Sequence, residues 1–250
     1  MDRFAQLLAA VETAFETTGR DLSPWDDPHP DRSPLDEEYS RLLDPAKWRI
    51  VGARVDAWVE ALVGAGLADV ERDATVDWVD DPGTISYRTD RLAPRRDGAV
   101  PLVVRRNRIE GVDGAGITLG AGAPAVVVES IPDCGCDACD SGSQDVLDQV
   151  DECIGGIVRG EFRHLRRRVK RPPRPPGFRF VATTANPAAA AMPAPPPPFA
   201  ETWAMPDVQT ITVVTAGCWS AKGSFGRGEV DAALANPTGW RETTGPPWLG

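Results

Sequence analysis

The chain has 250 residues with 37 acidic against 27 basic side chains, a formal net charge of -10. A chain of this length buries roughly three quarters of its unfolded surface without staples, and the acidic balance excludes a surface that tracks phosphate or an anionic membrane over its whole extent. No run approaches the ~18 uninterrupted apolar residues of a membrane span, and the run from Leu7 to Val11 is too short for the core of a secretion signal, so a soluble, cytoplasmic protein with reduced thiols is expected.

From the N-terminus, Phe4, Leu7, Leu8, Val11, Ala14 and Phe15 recur at helical spacing and predict a helix from Arg3 to Thr17. The Pro- and Asp-rich stretch from Asp21 to Ser33 reads as a surface loop, with His29 between prolines and expected in solvent. Ser33 before Pro34 offers a capping oxygen followed by a pre-set φ, which predicts a second helix ending before Asp44 and Pro45. A third helix, Pro45 to about Ala65, follows from Trp48, Val51, Val55, Trp58 and Leu62 on one face; tryptophans at that spacing are core rather than a stacking platform.

After Gly64 and Gly66 the period changes to two. Val70, Ala74, Val76 and Trp78, the turn Asp81-Pro82-Gly83, then Ile85 and Tyr87 predict an antiparallel hairpin. Short strands continue the meander at Val100 to Arg105, Ile117 to Leu119 and Ala125 to Glu129, with turns at Asp97-Gly98, Gly111 to Gly116 and Gly120 to Gly122. Ser141 and Gln144 have capping-box spacing before an amphipathic helix to about Val158, whose apolar face carries Val146, Val150, Cys153 and Ile157.

Strands are expected at Glu161 to Val169 and Phe178 to Val181, amid arginines from Arg159 to Arg179. That basic run reads as a solvated face balancing the acidic helix before it, and no RNA-binding pattern accompanies it, so nucleic acid is not expected as a partner. The expected organisation is an α+β domain over 1–184, a Pro/Ala-rich linker over 185–207, and a C-terminal segment, 208–250, docking on the main domain. That segment carries a strand from Thr210 to Thr215, a short helix from Val230 to Ala235, and Trp219, Trp240 and Trp248 as points of attachment. The fold class is α+β: N-terminal helices packed on a mainly antiparallel sheet, with one helix after a cysteine loop.

That loop, Asp133-Cys134-Gly135-Cys136-Asp137-Ala138-Cys139-Asp140, gathers three of the five cysteines. In an extended strand Cys134 and Cys136, two residues apart, share a face; a positive φ at Gly135 would fold the chain so that both turn inward, and with Cys139 three thiolates would converge on a soft or borderline cation such as zinc. A tetrahedral site needs a fourth ligand. Cys153 is the first candidate, with His164, Cys218, Asp133 and Asp140 behind it, although a cysteine on an apolar helix face is equally a packing residue. The competing chemistry is dithiol redox between Cys136 and Cys139, spaced Cys-x-x-Cys. Against it, Asp137 and Asp140 flank the thiols and disfavour the thiolate, and the helix starts after the motif instead of at its first cysteine. A third reading leaves the cysteines a packing or turn role only.

Other constellations fail on spacing. The loop aspartates do not match the calcium-loop template, Lys222-Gly223-Ser224 inverts the phosphate-loop order, and neither His29 nor His164 sits in a nucleophile motif. The run Pro132 to Ser143, followed by Gly160-Glu161-Phe162, Gly239-Trp240-Arg241-Glu242 and Pro247-Trp248-Leu249, resembles an uncharacterised family of actinobacterial proteins. The resemblance implies a bacterial, intracellular protein whose tail belongs to the same domain, and carries no activity. The expectation is a binding or structural module, with a protein or small-molecule partner, whose cysteine loop holds a structural metal; the alternative is a thiol-disulfide oxidoreductase.

Overall fold

The computed structural model describes residues 2–168, 208–215, 218–222 and 227–249. The strand expected near Phe178 and the linker at 185–207 lie outside them. Within them the α+β class is borne out: helices and two antiparallel sheets, with the N-terminal helices against the larger sheet. None of the described helices is long and apolar enough to cross a membrane.

Helix α1 (Arg3–Thr18) is capped by Asp2, whose carboxylate accepts the Phe4 amide. A 3-10 turn, Pro45–Trp48, opened by Asp44, leads into α2 (Arg49–Gly64). Helix α2 is buried on most of its circumference, including Val51, Val55, Trp58 and Leu62, because α1, the later helix α3 (Ser143–Val158) and the sheet all pack on it. Its Arg54 holds three helices together, bonding Glu12 of α1 and Asp151 of α3.

The second helix expected from Ser33 does not form. Residues 33–43 contain a single 3-10 turn, Asp36–Glu38. The segment exposes Leu35, Tyr39 and Leu43 and so has no apolar face to bury, and short helices without such a face are marginal in water. Glu38 turns inward instead, accepting the Leu35 amide at 2.6 Å and the Arg32 guanidinium at 2.9 Å.

The larger sheet runs β1 (Ala68–Glu71), β2 (Ser86–Pro94), β3 (Leu102–Ile109), β4 (Val112–Ala121) and β5 (Val126–Ile131) in sequence order. The predicted hairpin is displaced. Strand β1 ends before Asp73, which has a positive φ of 54°, and Trp78 makes only an isolated bridge to Ala125 while its ring covers Gly120, where a Cβ would lie 2.6 Å away. Strand β2 continues to Pro94 because its buried Asp90 is matched by Arg88, Arg72 and Arg106. The turn expected over Gly111 to Gly116 shrinks to Glu110-Gly111, both at positive φ.

Helix α3 (Ser143–Val158) follows the cysteine loop. Ser141 does not cap it; its hydroxyl donates to Asp145 at 2.6 Å, and the first amide of the helix, that of Ser143, is taken by the Trp25 carbonyl at 3.0 Å. The smaller sheet has the order β8-β7-β6-β9, with β6 (Arg163–Arg168), β7 (Val208–Val213), β8 (Trp219–Lys222) and β9 (Arg241–Thr244). One face packs Leu165 and Ile211 on Val230 and Ala233 of α4 (Arg227–Ala235). Trp248 returns to the main core, its indole N–H donating to the Val100 carbonyl at 3.0 Å. Not all thiols are free, contrary to expectation: Cys153 of α3 is disulfide-bonded to Cys218 beside β8.

Candidate functional site

The cysteine loop joins β5 to α3. A 3-10 turn, Asp137–Cys139, folds it, with the Cys139 amide donating to the Cys136 carbonyl at 3.1 Å. This turn, and not a positive φ at Gly135, brings the sulfurs of Cys134, Cys136 and Cys139 within 4.8 Å of one another. The Cys134 thiol donates to the Cys136 sulfur at 3.2 Å. Cys136 is buried; Cys134 and Cys139 are exposed.

Segment 20–47 holds the loop from outside. The indole N–H of Trp25 donates to both oxygens of Asp140 at 2.8 and 3.0 Å, the Lys47 ammonium lies 2.5 Å from Asp140, and the Gly142 amide donates to Asp140 at 2.9 Å. Trp25 meets Trp48 edge-on at 5.4 Å, and the ammonium sits over both rings. One turn back, Arg41 donates to Asp137 at 2.7 Å and the Leu43 amide adds a bond at 3.2 Å. Gly142 takes a φ of +91°, and a Cβ there would stand 2.8 Å from the Asp27 amide nitrogen. His29 belongs to this frame as well: its side chain is buried and 3.2 Å from Glu38, not in solvent as the sequence suggested.

These contacts change the electrostatics of the thiols. Asp137 and Asp140 were expected to disfavour a thiolate, but each is spent on a cation, Arg41 or Lys47. Burial opposes ionisation of Cys136, yet hydrogen bonds from the Cys134 and Cys139 thiols and from the Ser40 and Cys139 amides outweigh it and bring the thiol down to about 7. Its neighbours Cys136 and Cys134, together with burial, push Cys139 up to about 12. Of the two shifts, that of Cys136 is the one that favours the thiolate, and the Cys134 thiol donates to its sulfur.

Cys134, Cys136 and Cys139 are brought together as the sequence suggested, and such a group could hold a metal ion. Cys153 is not brought to them. Its sulfur is bonded to Cys218, and a disulfide sulfur offers no thiolate to a cation. His164 lies in β6, bonded to Thr212 at 3.0 Å, Asp140 is saturated by its partners, and Asp133 is exposed outside the group. Among the described residues no fourth cysteine, histidine or carboxylate joins the three sulfurs. Sequence reasoning missed Trp25, Arg41 and Lys47, whose partners lie 93 to 115 positions away in the chain; only the paired aspartates, needing counter-charges, hinted at them.

Fold and site together define an α+β protein of two antiparallel sheets with a three-thiol loop. The chain belongs to the family of unknown function DUF6226, matched over residues 11–238, a span that includes the cysteine loop. No curated protein and no solved structure matches it.

Proposed function

We propose that residues 133–140 form a structural metal site, in which the thiolates of Cys134, Cys136 and Cys139 hold one divalent cation, zinc before others, in a module that binds a partner rather than catalyses a reaction. The approach of three sulfurs within 4.8 Å carries this reading. Bonds of about 2.3 Å at tetrahedral angles set sulfurs about 3.8 Å apart, so the Cys134–Cys136 pair, at 3.2 Å, opens by roughly half an ångström through side-chain torsions. Three thiolates match a soft or borderline cation, and the fourth position falls to water or to a group from a partner. A reducing, cytoplasmic setting would keep Cys134, Cys136 and Cys139 free for the cation; the buried Cys153–Cys218 bond is the feature that stands against such a setting.

Elemental analysis of untagged protein purified without chelator tests it. About one equivalent of zinc is expected, with cobalt substitution giving a thiolate charge-transfer band that Cys136→Ser abolishes. Less than about a tenth of an equivalent, in protein grown with added zinc, overturns it.

The alternative is a dithiol couple of Cys136 with Cys139, to which the 3.2 Å approach of the Cys134 and Cys136 sulfurs adds Cys134 as a second partner. Two thiols would give two protons and two electrons to a small-molecule disulfide, which leaves as two thiols. Mass analysis of alkylated protein after equilibration in glutathione buffers decides: absence of a reversible bond among these three cysteines at every poise removes the alternative.

A further inference from the structure

The second place where the chain departs from ordinary packing lies far from the cysteine loop, on the polar face of the smaller sheet. Alternation along β6 sends Leu165 to α4 and puts His164 and Arg166 on the opposite face. Register brings His164 beside Thr212 of β7 and Thr243 of β9, and Arg166 beside Thr210 and Arg241. This face does not close on the larger sheet. Two adjoining cavities separate them, one of about 270 Å³ reaching Asp80, Val127 and Ser220, the other of about 220 Å³ reaching Pro124, Arg166, Arg241 and Thr243. His164, Val79 and Val126 line both.

Two features of this cleft point to a ligand. The His164 side chain is buried, with Nδ1 3.0 Å from the Thr212 hydroxyl, while Nε2 has no hydrogen-bond partner. A buried polar group left unpaired costs about 1–3 kcal/mol. Arg166 and Arg241 face each other directly across neighbouring strands, and neither makes an ion pair among the described residues. Like charges so placed are unfavourable, and the chain has an excess of acids with which most of its other described arginines are paired. Burial and the Arg166 charge, against Asp80, lower the His164 pKa, so the imidazole is a neutral hydrogen-bonding group and the two arginines supply the positive charge.

We infer that the cleft between the two sheets binds a small organic oxyanion, a carboxylate or phosphate monoester, with its anionic head between Arg166 and Arg241 and a polar atom on His164 Nε2. Planar guanidinium forks suit both anion types, and Val79, Val126 and Pro124 offer an apolar wall for the remainder. Each cavity by itself is below the roughly 300–1,000 Å³ of small-molecule sites, which restricts the ligand to metabolite size. This site is independent of the cysteine loop and does not rest on metal binding there.

With only two histidines in the chain, imidazole nitrogen NMR of the full-length protein reports the cleft directly, and His164→Gln assigns the signals. Inorganic phosphate and succinate are the probes, representing the two anion types. A saturable shift of the His164 resonances is expected with at least one probe, with the His29 resonances unmoved, and a loss of affinity of tenfold or more in Arg166→Gln with Arg241→Gln. Both arginines are exposed, so the double variant keeps its fold, which circular dichroism verifies. His164 resonances that stay fixed up to about 20 mM of either probe, well above the millimolar dissociation constants of weak specific sites, overturn the inference. Equal shifts in the double variant also overturn it.

Discussion

Replacing Asp140 with alanine tests whether the cysteine loop is a rigid joint held from outside. Its carboxylate is buried and accepts from the Trp25 indole, the Lys47 ammonium and the Gly142 amide. The Lys47 side chain is only 18% exposed, so removal of the carboxylate strands a cation and an indole N–H with little access to water. Breaking such a buried pair from one side costs about 3–5 kcal/mol. Lys47 keeps its place over the Trp25 and Trp48 rings, a contact of about 0.5–2 kcal/mol, which puts the net loss near the lower bound. At roughly 2–4 °C per kcal/mol for a chain of this size, Tm falls by about 10 °C. Asp140→Asn keeps an acceptor for Trp25 and Gly142 while losing the charge, and should fall between. The matched control is Asp137→Asn, whose partner Arg41 is 38% exposed and recovers hydration when unpaired. Thermal unfolding in chelator, followed by tryptophan fluorescence and far-ultraviolet circular dichroism, gives the comparison. An Asp137→Asn loss equal to or greater than that of Asp140→Ala refutes the reasoning.

Three further outcomes are expected. Arg54→Ala, which separates α1, α2 and α3 at once, should cost about 3 kcal/mol by chemical denaturation, whereas Glu12→Gln, altering the partner that is 65% exposed, costs under about 1 kcal/mol. The Asp90 carboxyl is buried, which alone would raise its pKa, but Arg106 and Arg88 hold it below the usual carboxylate range. A folded pKa below the unfolded one gives stability that is present above about pH 4 and lost as pH falls through the folded value; the stability gap between wild type and Asp90→Asn should therefore narrow below pH 4 in acid titrations. Joint replacement of Cys153 and Cys218 by serine opens a loop with a sequence separation of 65 and should lower unfolding free energy by about 4 kcal/mol on the loop-entropy relation, measured against wild type without reductant.

Where elements announced themselves, apolar period did the work. Helices α1, α2 and α3 each carry a stripe of Leu, Val, Ile or Trp that needs a neighbour, and β3 to β5 are runs rich in Val, Ile and Leu between glycines. The misses have a common cause in long-range polar pairing. Asp90 in mid-strand hid the length of β2, since its counter-charges come from β3 and from the loop after β1. Ser33-Pro34 has a helix start's form but no apolar face follows, and Glu38 gathers the segment around itself instead. At the candidate site the three sulfurs were legible because a Cys-x-Cys-x-x-Cys spacing keeps them within one turn. The fate of Cys153 was not, because its neighbour Cys218 is placed by the packing of a second sheet that local spacing does not encode.

The two candidate sites should respond separately, and α3 is the reason. Its first turn is tied to the cysteine side through Ser143 and Trp25. Beyond that turn Asp151 is locked to Arg54 and Trp58, Cys153 to Cys218, and the Val158 carbonyl to the Trp248 amide at 2.8 Å. A shift of the loop on metal uptake therefore meets three independent restraints before it reaches β6, and rigid packed elements do not deform continuously. Coupling needs an element with two arrangements that both sites bias, and a helix restrained along its length is not one. Zinc added to apo-protein should alter fluorescence from Trp25, read as the difference between wild type and Trp25→Phe, while the His164 imidazole resonances and their response to phosphate stay unchanged. A zinc-dependent change of phosphate affinity by more than about twofold, a coupling of roughly 0.4 kcal/mol, would show that α3 transmits the loop's state after all.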